Sequence, residues 1–82
     1  MAICKWTYED ILRFERALDE GFEYHRIVDD KFNLRVFKVD NIFVAESINI
    51  FVGGKLFVIE EQDIHVFASK LSSELNRIGE VN

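Results

Sequence analysis

The amino-acid sequence predicts an α+β fold with an N-terminal helix, a three- to four-stranded antiparallel β-meander and a C-terminal helix packed on the sheet. Apolar residues recur at helical spacing near both ends of the chain, whereas β-branched and aromatic residues with a period near two dominate the middle. Short turn-forming pairs divide that middle block. At 82 residues the chain is expected to form a single domain over residues 1-82.

The first helix is predicted over residues 8-20. Thr7 can cap its start, and Asp10 can reach back to the Thr7 backbone as the acid of a capping box. Gly21 is a typical C-terminal cap. The apolar stripe of this helix is formed by Ile11, Phe14 and Leu18.

Four strands are predicted in the middle block, at residues 22-28, 32-39, 42-52 and 55-59. Asp40-Asn41 and Gly53-Gly54 are expected to form two-residue hairpin turns, because both pairs tolerate a positive φ. The first of these turns places Arg35 opposite Glu46 as an opposite-charge cross-strand pair. The third strand is long, so it is expected either to bend at Glu46-Ser47 or to be two strands.

The second helix is predicted over residues 64-78, with Asp63 as its cap and Gly79 at its end. Its apolar residues form one stripe, which is the pattern of a helix packed on a sheet. The stripe consists of Ile64, Phe67, Ala68, Leu71, Leu75 and Ile78.

Both faces of the predicted sheet are mainly apolar. A two-residue Gly53-Gly54 turn assigns to one face Phe32, Leu34, Val36, Phe43, Ala45, Phe51, Leu56 and Val58. It assigns to the other Phe37, Val39, Ile42, Val44, Ile48, Ile50, Val52, Phe57 and Ile59. Since one helix layer covers one face, the other is expected to need a partner, most simply a second copy in a homodimer. The alternatives are one helix on each face, or a sheet that curls into a half-barrel.

Charge and composition restrict the partners and the location. The net charge of -5 favours another protein with a basic surface as partner and disfavours direct nucleic-acid binding. The apolar stretch at residues 42-52 is too short and too interrupted to cross a bilayer, so no membrane association is expected. A single cysteine, Cys4, and the lack of a signal-peptide pattern predict a cytoplasmic protein.

The residue pattern predicts no metal, cofactor or catalytic site. His25 and His65 lie on different predicted elements, and neither belongs to a metal-binding spacing. The carboxylates occur in runs that are typical of solvated helix ends and turns. The protein is therefore expected not to be an enzyme, with an enzyme of unrecognised type as an alternative.

The sequence favours a non-enzymatic protein-interaction module, most concretely a small acidic inhibitor or regulator of a larger, nucleic-acid-handling protein, such as a phage anti-defence protein. Alternatives are an immunity protein or antitoxin, and a small nucleic-acid-binding domain that uses Arg13, Arg16, Arg26, Arg35 and Lys38. In the favoured hypothesis acids steer the encounter and apolar residues anchor it. The candidate partner-binding residues are Asp19, Glu20, Glu23, Asp29, Asp30, Phe37, Val44 and Ile50.

Overall fold

The protein folds as an antiparallel meander with helices on one side of the sheet, in a computed structural model that describes residues 6-28 and 30-81. The helices are α1 (Tyr8–Leu12), α2 (Phe14–Asp19) and α3 (Ile64–Val81). The strands are β1 (Tyr24–Val28), β2 (Phe32–Val39), β3 (Ile42–Asn49) and β4 (Lys55–Glu61). They lie in the sheet in chain order, so β1 and β4 are its two edges. This architecture confirms the predicted fold class.

The N-terminal helical region begins with the predicted capping box. The Thr7 hydroxyl accepts a hydrogen bond from the Asp10 backbone N–H at 3.2 Å, and the Thr7 N–H donates to the Asp10 carboxylate at 3.1 Å. The single helix predicted over residues 8-20 is divided into α1 and α2 by a turn at Arg13. Gly21 follows α2 with a φ of 95°, as expected for a glycine at a helix end.

The two predicted hairpin turns had different outcomes. Asp40-Asn41 forms the predicted two-residue turn, with φ values of 50° and 67°, and it places Arg35 opposite Glu46. The prediction for Gly53-Gly54 was wrong, because β3 ends at Asn49 and a five-residue loop precedes β4. Backbone hydrogen bonds close this loop from the Asn49 N–H to the Gly54 carbonyl and from the Gly53 N–H to the Asn49 carbonyl, both at 2.8 Å.

The longer loop changes the register of β4. Phe57 and Ile59 face the helices, whereas Val58 faces outward, which reverses the predicted assignment of this strand. A one-residue change in register exchanges the two faces of a strand. The wrong turn length therefore also gave the wrong face for the residues of β4. A register shift is present between Ser47 and Ile48, one residue beyond the predicted bend, but the extra residue is Leu56 of β4, because Ser47 pairs with Phe57 and Ile48 pairs with Lys55.

Several predicted boundaries also shift. The first strand starts at Tyr24 rather than at residue 22, because the Phe22 N–H still donates to the Ala17 carbonyl at 3.0 Å. The strand β4 continues to Glu61 instead of ending at residue 59. The last helix continues past Gly79 to Val81, so the predicted glycine stop was wrong.

The core lies between one sheet face and all three helices. Its buried residues are Leu34, Val36, Phe43, Ala45, Phe57 and Ile59 from the sheet and Ile11, Leu18, Ile64, Phe67, Ala68, Leu71 and Leu75 from the helices. This arrangement excludes the alternative prediction of one helix on each face of the sheet. The side chain of Ile78 lies outside the described residues. Among those residues, no helix is long and apolar enough to cross a membrane.

The start of α3 is fixed by Asp63, as predicted. The Asp63 carboxylate accepts hydrogen bonds from the backbone N–H groups of His65 at 2.7 Å and of Val66 at 3.4 Å. This cap follows β4 after a single further residue, so α3 turns back over that strand and packs against both β4 and α1.

Candidate interaction surface

The sheet face opposite the helices, here called the open face, is not covered by any element of the described chain. It carries alternate residues of the four strands, and the strand pairing places Phe37 beside Val44 near its centre. Val44 is only 8% exposed, because its neighbours on the face surround it. Phe37 is half-buried beneath the Arg35 guanidinium, whose carbon lies 4.2 Å from the ring centroid. Two of the three predicted anchoring residues, Phe37 and Val44, are therefore neighbours on one surface.

A chain of ion pairs crosses the open face from β1 to β4. The Arg35 side chain lies 3.0 Å from the Glu23 carboxylate and 3.4 Å from the Glu46 carboxylate. Lys55 continues the chain at 3.6 Å from Glu46. Alternating charges thus occupy the middle of a face that the sequence predicted to be mainly apolar. Part of this face is therefore polar and suited to contact with water.

The hydrogen bond from Arg35 holds the pKa of the Glu23 carboxyl below its ordinary value of 4.5. A lowered folded-state pKa stabilises the fold above the unfolded-state pKa, and this contribution is lost as pH falls through the folded-state pKa. We therefore expect Glu23→Gln to lower the thermal midpoint at neutral pH, with the gap to the wild type closing below about pH 4.5. Melting curves between pH 7 and pH 3 measure this, and a gap of constant size would contradict it.

The loop between β3 and β4 exposes three consecutive large apolar side chains. Ile50 is 47% exposed, Phe51 is 75% exposed and Val52 is 80% exposed. The Asn49 side chain accepts hydrogen bonds from the backbone N–H groups of Phe51 at 2.9 Å and Val52 at 3.2 Å. The Ile50 N–H also donates to the Lys31 carbonyl at 2.9 Å, which joins this loop to the β1–β2 turn. The apolar tip is therefore held in one conformation.

Sequence reasoning missed this loop, although it named Ile50 as a candidate residue. Ile50, Phe51 and Val52 were assigned to the end of a long strand, because their residue types favour strands. The signal that could have located the loop is Asn49, since an asparagine side chain readily hydrogen-bonds the backbone two residues on. Phe51 and Val52 are thus the candidate contact residues that the structure adds.

The four described residues of the predicted acidic set do not form one surface. Asp19 pairs with Lys38 near the end of β2, and Glu20 pairs with Arg16 at 3.5 Å on α2. Glu23 belongs to the ion-pair chain of the open face. Asp30 lies in the turn before β2, at the other end of the strand from Lys38, with a φ of 56°. Asp29 lies outside the described residues.

The basic residues of the nucleic-acid alternative are mostly neutralised by neighbours. Arg13 lies 3.5 Å from Asp10, and Arg16, Arg35 and Lys38 have the acidic partners given above. Arg26 instead lies over the Trp6 ring, 5.9 Å from its centroid. Paired cations attract phosphate weakly, so this arrangement gives the alternative little support.

The two histidines lie in separate surroundings. His25 is 3.3 Å from the Glu23 carboxylate, and the Nδ1 atom of His65 is 2.9 Å from the Tyr8 hydroxyl. Within residues 6-28 and 30-81, no group of three or more histidine, cysteine or acidic side chains is arranged to hold a metal ion.

Comparison of the chain with protein families, with curated proteins and with solved structures gave no match.

Proposed function

We propose that this protein is a non-enzymatic interaction module that binds a larger protein, with the apolar tip of the β3–β4 loop as its anchor. The observation that carries the proposal is the exposure of Phe51 and Val52, at 75% and 80%, on a loop that the Asn49 side chain holds in place. Large apolar side chains are rarely presented to water together in this way unless they contact a partner. A fixed loop also loses little conformational entropy on binding.

The anchor fits an apolar pocket on the partner. An exposed aromatic side chain that enters such a pocket typically supplies much of the binding free energy, while surrounding contacts exclude water. The open face adjoins the loop through β3, so Phe37 and Val44 would lie at the margin of the contact and Ile50 within it. The net charge of -5 favours a partner with a basic surface and would accelerate the encounter.

Partners that handle nucleic acids present such basic surfaces, and a small acidic protein that occupies one acts as an inhibitor or regulator. This mode of action covers an anti-defence protein of the kind phages use, and equally an immunity protein or antitoxin. In this proposal the protein acts in the cytoplasm and its action requires no catalysis by this chain.

The test compares two exposed phenylalanines. Phe51→Asp is expected to weaken binding to the partner about 30-fold or more, because it places a charge in the apolar pocket. The partner is isolated from source-cell extract with the wild-type protein, purified, and titrated with each variant by calorimetry. Phe51→Asp and a control variant, Phe22→Asp, should both melt at the wild-type temperature, because neither phenylalanine belongs to the core.

Phe22→Asp is the matched control. Phe22 is 62% exposed but lies between α2 and β1, away from the loop, so its replacement should leave the affinity unchanged. Equal affinities for the wild type and Phe51→Asp would contradict the anchor, and equal losses in both variants would indicate a charge effect without a defined contact site.

A further inference from the structure

The outer edge of β4 has an apolar centre between charges of opposite sign. Lys55 begins the strand, residues 56-59 are all apolar, and Glu60 and Glu61 end it. In the described part of the chain no strand lies beyond β4. Alternate backbone N–H and C=O groups of this edge therefore point away from the sheet without a strand to pair with, which makes it a template for another strand.

We propose that β4 pairs antiparallel with β4 of a second copy of this chain, about a two-fold axis at Val58, and so joins two sheets into one of eight strands. Centring the pair there places Val58 opposite Val58 of the second copy and Phe57 opposite Ile59 of the second copy. The faces agree, since Phe57 and Ile59 both face the helices and Val58 faces outward.

The charges of β4 are complementary in this arrangement. Antiparallel pairing brings the Lys55 end of each strand beside the Glu60-Glu61 end of the other. Lys55 lies on the open face beside Glu46, and Glu60 lies on the same face opposite Val44, so each Lys55 would lie near Glu60 of the second copy and two attractive contacts form about one axis. Parallel pairing would instead place like charges together at both ends. Charges of one sign at both ends would protect the edge from self-pairing, whereas opposite signs favour the antiparallel pair.

The other edge strand of the sheet, β1, is not complementary in charge to a second copy of itself. The strand β1 has five residues with Arg26 at its centre, so the same two-fold pairing would bring two arginines opposite each other. Like charges directly opposite destabilise a strand pair. The self-complementary edge is therefore β4.

The helix above β4 also fits a second copy. A groove between β4 and α3 is lined by Ile59 and by two small residues, Ser69 and Ser73. Pairing of the strands would bring α3 of the second copy alongside in the antiparallel direction, and serines permit such an approach. Lys70 and Glu74 also line the groove, where Lys70 pairs with Glu61 and Glu74 pairs with Arg77 of the same chain.

This pairing is independent of the proposed function. The loop precedes Lys55, and antiparallel strands place their starts at opposite ends, so the dimer would present two separate apolar tips. The open face also remains free. Phe51→Asp should therefore leave the dimer intact, and failure of one proposal does not imply failure of the other.

Light scattering over a concentration series is the direct test. We expect the wild type to have twice the mass of the 9.6-kDa chain, and Val58→Arg to have the mass of one chain, because it places two arginines opposite each other at the axis. Val39→Arg is the matched control, since Val39 is 50% exposed and Val58 is 45% exposed, but Val39 lies on the inner strand β2. It should remain dimeric.

A charge exchange tests the direction of the pair. Lys55→Glu is expected to raise the dissociation constant of the dimer about 30-fold, because both attractive contacts become repulsive. Adding Glu60→Lys should restore the wild-type constant, with thermal melting to show that each variant is folded. A wild type that is monomeric throughout the series would overturn the proposal. So would a dimer that only Val39→Arg dissociates, or a folded double variant that stays monomeric.

Discussion

Replacing Phe67 by alanine is expected to lower the free energy of unfolding by about 3–5 kcal/mol. Phe67 is fully buried in the core, and its ring centroid lies 5.7 Å from that of Phe43 on β3. Removal of the ring costs the burial of its surface and leaves a cavity that α3 and the sheet can fill only in part. Since small domains are stable by only about 5–15 kcal/mol, this variant should unfold at much lower urea concentration than the wild type.

The matched control is Phe51→Ala. Phe51 is the same residue type in the exposed loop, so the same truncation should change the stability by no more than about 0.5 kcal/mol. Urea unfolding followed by circular dichroism compares the two variants. A large loss in Phe51→Ala, or a small loss in Phe67→Ala, would show that the division between core and exposed tip is wrong.

The parts of the fold that were predictable from the sequence are those decided by neighbouring residues. The capping box of Thr7 and Asp10 needs only a hydroxyl and an acid three residues apart. The Asp40-Asn41 turn needs two adjacent residues that accept a positive φ, and the pairing of Arg35 with Glu46 then follows from the turn length. The position of Asp63 before an apolar stripe likewise predicts the start of α3.

The β3–β4 connection was not predictable in the same way. Gly53 and Gly54 accept a two-residue turn and a longer loop equally well, and the choice depends on hydrogen bonds made by Asn49 and on the contact of Ile50 with the β1–β2 turn. That contact joins residues far apart in the chain, so no local pattern reveals it. The register of β4 depended on this choice, which is why the outward position of Val58 was also missed.

The candidate site was predictable only in part for the same reason. Phe37 and Val44 share a face because the short turn between β2 and β3 sets their register. The convergence of acids depends on how α2 lies against β2, and the structure pairs Asp19 with Lys38 while Asp30 lies at the far end of the strand. Sequence clusters of like charge therefore did not become a surface of like charge here.

Ser47→Ala is expected to stabilise the protein by about 1 kcal/mol. Ser47 is 1% exposed and lies on the core side of β3, opposite Leu34 on one neighbouring strand and Phe57 on the other. Within the described chain its hydroxyl oxygen has no hydrogen-bond partner. A buried hydroxyl without a partner costs about 1–3 kcal/mol relative to water, and the removal of one oxygen atom leaves little unfilled volume.

The measurement is again the urea midpoint, with Ser69→Ala as the control. Ser69 is an exposed serine on α3, so its replacement reports the gain in helix propensity without relief of a buried polar group. A loss of stability in Ser47→Ala would indicate that the hydroxyl is hydrogen-bonded in solution, for example by a buried water molecule at the irregularity between Ser47 and Ile48. A gain would show instead that β3 keeps a polar atom in the core that the fold does not need, since the apolar contacts of Leu34 and Phe57 suffice there.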